Sequence, residues 1–169
     1  MKPQTAAWMP QPHPAVCSVD ILRNMSVFQT RIRVRYAETD QMGVVYYANF
    51  FIWFEVARVE LLRQLGFDYK QMEIADGCSI AVVEASCRYK SPARYDDELI
   101  LETRLLNLRR SVLKFAYRVL RPENESDPRL LAEGETTHVV VDKHMNVVHL
   151  PEKYTAVLGS LAEKLPGPK

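Results

Sequence analysis

The chain has 169 residues, 47% of them hydrophobic and 25% charged, and a formal net charge of +1. That is the length of one domain with a sizeable core, and the charge balance gives no reason to expect a nucleic-acid or membrane-surface partner. No apolar run reaches the roughly 18 residues of a membrane span. Cys17, Cys78 and Cys87 lack C-x-x-C spacing, which points away from a disulfide framework or zinc site and towards a reducing cytoplasm.

Residues 1–26 contain Pro3, Pro10, Pro12 and Pro14 and show no period. The segment also lacks the apolar stretch of a secretory signal. A poorly ordered tail is expected there, with Met25 as an alternative start because regular patterning begins just after it. Residues 27–165 then form a single folded domain.

From Phe28 the chain alternates. Phe28, Ile32, Val34 and Tyr36 point one way and Gln29, Arg31, Arg33 and Arg35 the other, the period of a half-buried strand. The arginines read as its solvated face. Next, Asn49 to Leu65 is apolar around most of its circumference and stops at Gly66, which predicts a helix enclosed by other elements. Glu55 and Arg58 are spaced to pair on its polar side.

Strands follow. Ala81, Val83, Ala85, Cys87 and Tyr89 form one alternating face; Leu99, Leu101, Thr103 and Leu105 another; Leu113, Phe115, Tyr117 and Val119 a third, after a turn near Asn107 to Arg110. Pro122 to Pro128 reads as a hairpin loop, Leu130 to Val141 as a long last strand, and Pro151 as the start of a short closing helix. One strand, one helix and about four antiparallel strands make an α+β domain. A helix this apolar needs a sheet curled about it, and such a sheet needs a partner for its open edge.

Between strand and helix lies Thr39-Asp40-Gln41-Met42-Gly43-Val44-Val45-Tyr46-Tyr47-Ala48-Asn49-Phe50: a carboxylate, a glycine turn and a helix start. With Tyr36-Ala37-Glu38 before it, and with the second motif Pro92-Ala93-Arg94-Tyr95-Asp96-Asp97-Glu98-Leu99, this run resembles the 4-hydroxybenzoyl-CoA thioesterase family of acyl-CoA thioesterases. The resemblance spans about Val27 to Tyr154. It implies the hotdog fold, a long central helix wrapped by a curved antiparallel sheet, assembled as a homodimer or homotetramer with active sites between subunits.

The resemblance places the catalytic aspartate on Asp40 and the carbonyl-polarising backbone N–H on Tyr47, with Tyr46 and Asn49 as substrate contacts. An ionised aspartate could attack an acyl carbon or deprotonate water. A helix start offers N–H groups that lack intrahelical acceptors. Alone, an aspartate before a helix would be read as a turn or cap residue; the surrounding motif favours catalysis. Glu38 reads as a surface carboxylate. Some members of the family carry histidine at the Tyr47 position, so histidine-assisted catalysis is not expected here.

Arg109 and Arg110 match a basic turn that grips the CoA phosphates in the family; Ser111 stands where a third basic residue is usual. Arg88, Lys90 and Arg94 form a second basic candidate. His138, His144 and His149 show no metal spacing, and Cys87 beside His138 reads as packing rather than as a nucleophilic pair. No metal or cofactor is expected. The implied activity is hydrolysis of an acyl-CoA to free acid and CoA. The alternatives are an acyl-carrier-protein thioesterase using the same site and a non-catalytic acyl-CoA-binding module.

Overall fold

The computed structural model describes residues 27–67, 69–123 and 128–162. The expected tail over residues 1–26, Met25 and the centre of the Pro122–Pro128 loop lie outside them. The elements are β1 (Phe28–Arg33), α1 (Asn49–Gln64), α2 (Tyr69–Ala75), β2 (Cys78–Tyr89), β3 (Glu98–Arg109), β4 (Val112–Arg121), β5 (Arg129–Asp142) and α3 (Glu152–Ala162). All five strands pair antiparallel in the order β1-β3-β4-β5-β2. No helix among the described residues is long and apolar enough to cross a membrane.

The alternating residues of β3 and β4 place Leu99, Leu101, Leu105, Leu113, Phe115 and Tyr117 on one buried face. Helix α1 lies against that face through Phe50, Trp53, Phe54, Leu61 and Leu62. The opposite face is polar. Arg88, Glu133, Arg118, Glu102 and Gln29 occupy successive cross-strand positions over all five strands, so each charge meets its opposite.

One contact sets how closely α1 approaches the sheet. The Phe54 ring stacks on Tyr117, centroids 4.4 Å apart, above Gly134 of β5. A Cβ at Gly134 would fall 2.4 Å from the Phe54 ring and 2.7 Å from the Ser86 carbonyl oxygen. The absent side chain is thus a packing requirement.

Five expectations change. The alternation of β1 stops at Arg33; Tyr36 opens a 3₁₀ turn over Tyr36–Glu38 and is 78% exposed. Glu38 is not a surface carboxylate but 5% exposed, drawn in by hydrogen bonds that the strand reading could not show. A bulge between Val82 and Glu84 shifts the register of β2, so Ala81 and Val83 leave the face shared by Ala85, Cys87 and Tyr89. Arg58 does not pair with Glu55: it turns under the helix, and its Nη1 has no hydrogen-bond partner.

Finally, α1 is not enclosed by its own sheet. Ile52 and Val56 stay half exposed, Ile52 beside Val82 at the unpaired edge of β2, where Val83 is also exposed. Helix α2 was not anticipated; Met72 is its one buried residue.

Candidate active site

After β1 the chain crosses to α1 through a knot of hydrogen bonds centred on Glu38. Its carboxylate accepts from the Arg35 backbone N–H (2.7 Å), the Arg35 guanidinium (2.9 Å) and Trp53 Nε1 (3.0 Å). Burial alone would raise the Glu38 pKa, but these three donors outweigh it and hold the carboxyl below its usual range. The Glu38 carbonyl accepts from the Tyr46 N–H (2.9 Å) and the Asn49 side-chain amide (2.8 Å). Asn49 therefore spends its amide on the turn.

Asp40 sits on the loop this knot holds. Its N–H donates to the Val44 carbonyl, its carbonyl accepts from Gly43, and its Oδ1 accepts from the Met42 N–H at 2.8 Å. Gly43, at φ +71°, takes the left-handed conformation that closes this small turn. Oδ2 has no hydrogen-bond partner among the described residues.

The start of α1 carries no side-chain cap. Its first turn closes on itself, with the N–H groups of Asn49, Phe50 and Phe51 bonded to the carbonyls of Tyr46, Tyr47 and Ala48. The N–H groups of Tyr47 and Ala48 are left without an acceptor among the described residues. The Tyr47 carbonyl also accepts from Tyr89 Oη at 3.1 Å, which fixes the orientation of the helix mouth. Burial of the Tyr89 hydroxyl, together with its Cys87 contact, pushes that phenol up to about 12, so it remains a donor at neutral pH.

Asp40 and Tyr47 line one cleft of about 390 Å³ with Phe50, Tyr89 and Lys90. A carboxylate with one oxygen outside any hydrogen bond among the described residues and a helix start with acceptorless N–H groups thus belong to the lining of one cleft, the two kinds of group that act on a carbonyl. A larger trough of about 460 Å³ on the outer sheet face is lined by Arg88, Glu102, Arg104 and Arg118 among others. It lies between paired surface charges and has no such arrangement.

The other candidate residues are placed differently. Tyr46 is exposed beside Tyr47, ring centroids 4.6 Å apart, and lies outside the cleft lining. Arg109 and Arg110 form the β3–β4 turn, with Arg110 at φ +44° and its carbonyl accepting from Leu150 N–H. Strand pairing carries that turn through Val112 and Val139 to Ala81, eight residues along β2 from Tyr89, or about 26 Å. Within one chain this turn does not reach the Asp40 cleft.

Of the second basic group only Lys90 lines the cleft; Arg88 faces the outer trough. The Cys87 thiol is pushed up by burial, as expected of a packing residue. Sequence reasoning missed the Tyr89 hydroxyl, although its place at the end of the β2 alternation marked it as facing α1.

Residues 34–161 match the thioesterase-like superfamily. The chain is 37% identical to a putative acyl-CoA thioesterase, YneP, of Bacillus subtilis over 119 residues, 70% of this chain and 83% of that protein. It is 36% identical to the acyl-CoA thioester hydrolase YbgC of Escherichia coli O157:H7 over 119 residues, 70% and 85% of the two chains. The crystal structure of 4-hydroxybenzoyl-CoA thioesterase from Pseudomonas sp. strain CBS-3 superposes with a TM-score of 0.71 over 79% of this chain and 99% of that one; at 21% identity it speaks for the fold. The fold is the hotdog, and the chain is an enzyme of the thioester hydrolase class. It belongs to the thioesterase-like superfamily.

Proposed function

We propose that this protein hydrolyses acyl-CoA thioesters at the mouth of α1, with Asp40 acting on the acyl carbon and the Tyr47 N–H polarising the carbonyl. The observation that supports it is the shared cleft: one free oxygen of Asp40 and one acceptorless backbone N–H. The thioester oxygen takes the Tyr47 N–H, a type of contact worth about 3–4 kcal/mol when negative charge develops. Asp40 then either attacks the acyl carbon, breaking the C–S bond to release CoA thiolate, which takes up a proton, and forming a mixed anhydride that water hydrolyses, or takes a proton from the water that attacks. Both routes end in free acid, CoA and restored Asp40.

The reading includes a second copy of the chain. Antiparallel pairing through the β2 edge would cover Val82, Val83, Ile52 and Val56 and bring the other copy's Arg109–Arg110 turn to the end of the joined sheet where Asp40 lies. Two guanidinium groups there suit the phosphates of CoA. A carrier-protein thioester would use the same cleft without them.

The test is thiol release from a panel of acyl-CoAs and acyl-carrier-protein thioesters by wild type and Asp40→Asn. Asparagine keeps the acceptor for Met42 N–H but is neither base nor nucleophile, so kcat should fall on the order of 10²–10⁴-fold. Equal rates for the two proteins would end the assignment. Turnover of carrier-protein substrates alone would favour the second substrate class.

A further inference from the structure

Helix α1 and the end of β2 form a continuous seam. The Asp40 cleft occupies one end, between Phe50 and Tyr89. Further along, a second pocket of about 250 Å³ opens between Phe54 and Ala85, with half-buried Cys87 on the same strand face between them. This second pocket is mostly apolar, but two nitrogens in its lining residues are buried without any partner: Arg58 Nη1 and His138 Nδ1. Arg58 is 7% exposed and His138 fully buried.

Thr136 Oγ1 bonds both Tyr117 Oη (2.9 Å) and His138 Nε2 (2.7 Å). Both hydroxyl protons are used only if Tyr117 donates to Thr136 and Thr136 donates to Nε2. In that arrangement the imidazole carries its proton on Nδ1; with the chain running the other way Nδ1 is an unmatched acceptor, and Arg58 Nη1 is an unmatched donor in both. Burial, with the Arg58 charge nearby, lowers the His138 pKa to about 4, which keeps the ring neutral. A guanidinium only donates. The pocket therefore presents two unmatched nitrogens, one of them a guanidinium donor, and a buried positive charge, with Glu55 as the one carboxylate in its lining, exposed and not bonded to Arg58 Nη1.

The Arg58 guanidinium also meets the Tyr117 hydroxyl, but its Nη1 remains without an acceptor; a buried donor left over on a cation is costly, and a carboxylate is the group that satisfies it best. We infer that this pocket receives the far end of the acyl group and that the end it recognises is a carboxylate, so the preferred substrates are ω-carboxyacyl thioesters. This rests on the thioesterase reading above and adds the substrate's second functional group. The reach is consistent: Tyr47 to Phe54 is seven residues, from just before α1 into its second turn, about 10 Å at helical rise, and the Arg58 side chain leans back towards that turn. A medium-length chain lying along the seam past Cys87 would place its thioester at the Tyr47 N–H and its carboxylate at Arg58 and His138.

The experiment compares kcat/KM for an ω-carboxyacyl-CoA and the unsubstituted acyl-CoA of equal length. Wild type should favour the former by about tenfold or more. Arg58→Met should erase that preference while leaving the unsubstituted substrate within a few-fold; Arg58→Lys should keep part of it, and guards against a methionine variant that does not fold. No preference in wild type, or equal loss on both substrates, would overturn the inference and leave the thioesterase reading intact. So would sedimentation of Arg58→Met as a smaller oligomer than wild type, which would mean that Arg58 serves a second chain. If no acyl-CoA is turned over, the thioesterase reading fails separately. Binding of a non-hydrolysable ω-carboxyacyl-CoA thioether to wild type and Arg58→Met then decides the pocket.

Discussion

Trp53 Nε1 donates to Glu38 Oε1 at 3.0 Å across a buried contact, tying the second turn of α1 to the segment that leads into Asp40. The helix mouth and the Asp40 loop are thus braced against each other through one carboxylate rather than through the chain that joins them. Asn49 and Tyr46, both bonded to the Glu38 carbonyl, complete the brace.

Replacing Glu38 by Gln should therefore cost stability and turnover together. The carboxylate accepts three hydrogen bonds, two from Arg35 and one from Trp53, and losing its charge at such a site costs about 1–3 kcal/mol. Its pKa is lower folded than the ordinary 4.5. The contribution is therefore fully present above the unfolded value and is lost as pH falls through the lower folded one. Urea denaturation should show wild type ahead of Glu38→Gln at neutral pH, with the gap closing below about pH 4. A gap that holds constant into acid would contradict the charge argument. In the kinetics kcat should drop more than KM rises, because Glu38 positions Asp40 and does not line the cleft.

Gly134→Ala tests the approach of α1 to the sheet. The added methyl meets the Phe54 ring and the Ser86 carbonyl at impossible distances. Either Phe54 leaves its stack on Tyr117 or β2 and β5 separate locally. Overpacking of this kind costs about 1–3 kcal/mol, visible as a lowered Tm. An unchanged Tm would mean that the helix sits further from the sheet than the Phe54–Gly134 approach requires.

Much of this was legible in the chain. Period-two runs such as Leu99 to Leu105 and Leu113 to Val119 are buried on one side as read, because each strand has one face on the core and one outside. The length of α1 and its stop at Gly66, φ +81°, were also readable, since only glycine takes that conformation freely. Asp40 and the Tyr47 main chain stood out through the motif around them.

What stayed hidden depends on contacts made at long range. The Val82/Glu84 bulge looks like uninterrupted alternation until the partner strand fixes the register. Glu38 looked like a surface residue because its partner Trp53 lies fifteen positions on. Arg58 looked like the polar side of a helix because Glu55 offered a local partner that it does not take.

The open edge of β2 gives a prediction about assembly. Val82 and Val83 are 55% and 58% exposed on a strand with one unpaired edge, with Ile52 of α1 beside Val82 and Val56 exposed one turn further on. Apolar side chains on a free strand edge call for cover. Val83→Lys, at the bulge, should weaken association by placing like charges near the dyad. Analytical ultracentrifugation should then show dissociation at concentrations where wild type stays associated. A wild-type protein that sediments as a monomer throughout would remove the second copy from the proposal.

The Arg109–Arg110 turn separates the two carrier classes. If a second copy brings these guanidinium groups to the CoA nucleotide, replacing both by alanine should raise KM for acyl-CoA about tenfold, as expected for loss of charge-assisted phosphate contacts, with kcat nearly unchanged because the reacting atoms lie elsewhere. The wild-type KM should rise with added salt and the variant's should respond less. A carrier-protein thioester carries no adenosine phosphates for this turn to hold, so its KM should be the same for both proteins. Loss of affinity for both substrates would place the turn in the pantetheine path common to them. Unchanged KM for acyl-CoA would return Arg109 and Arg110 to the role of a solvated hairpin tip, its conformation held by the Leu150 N–H on the Arg110 carbonyl.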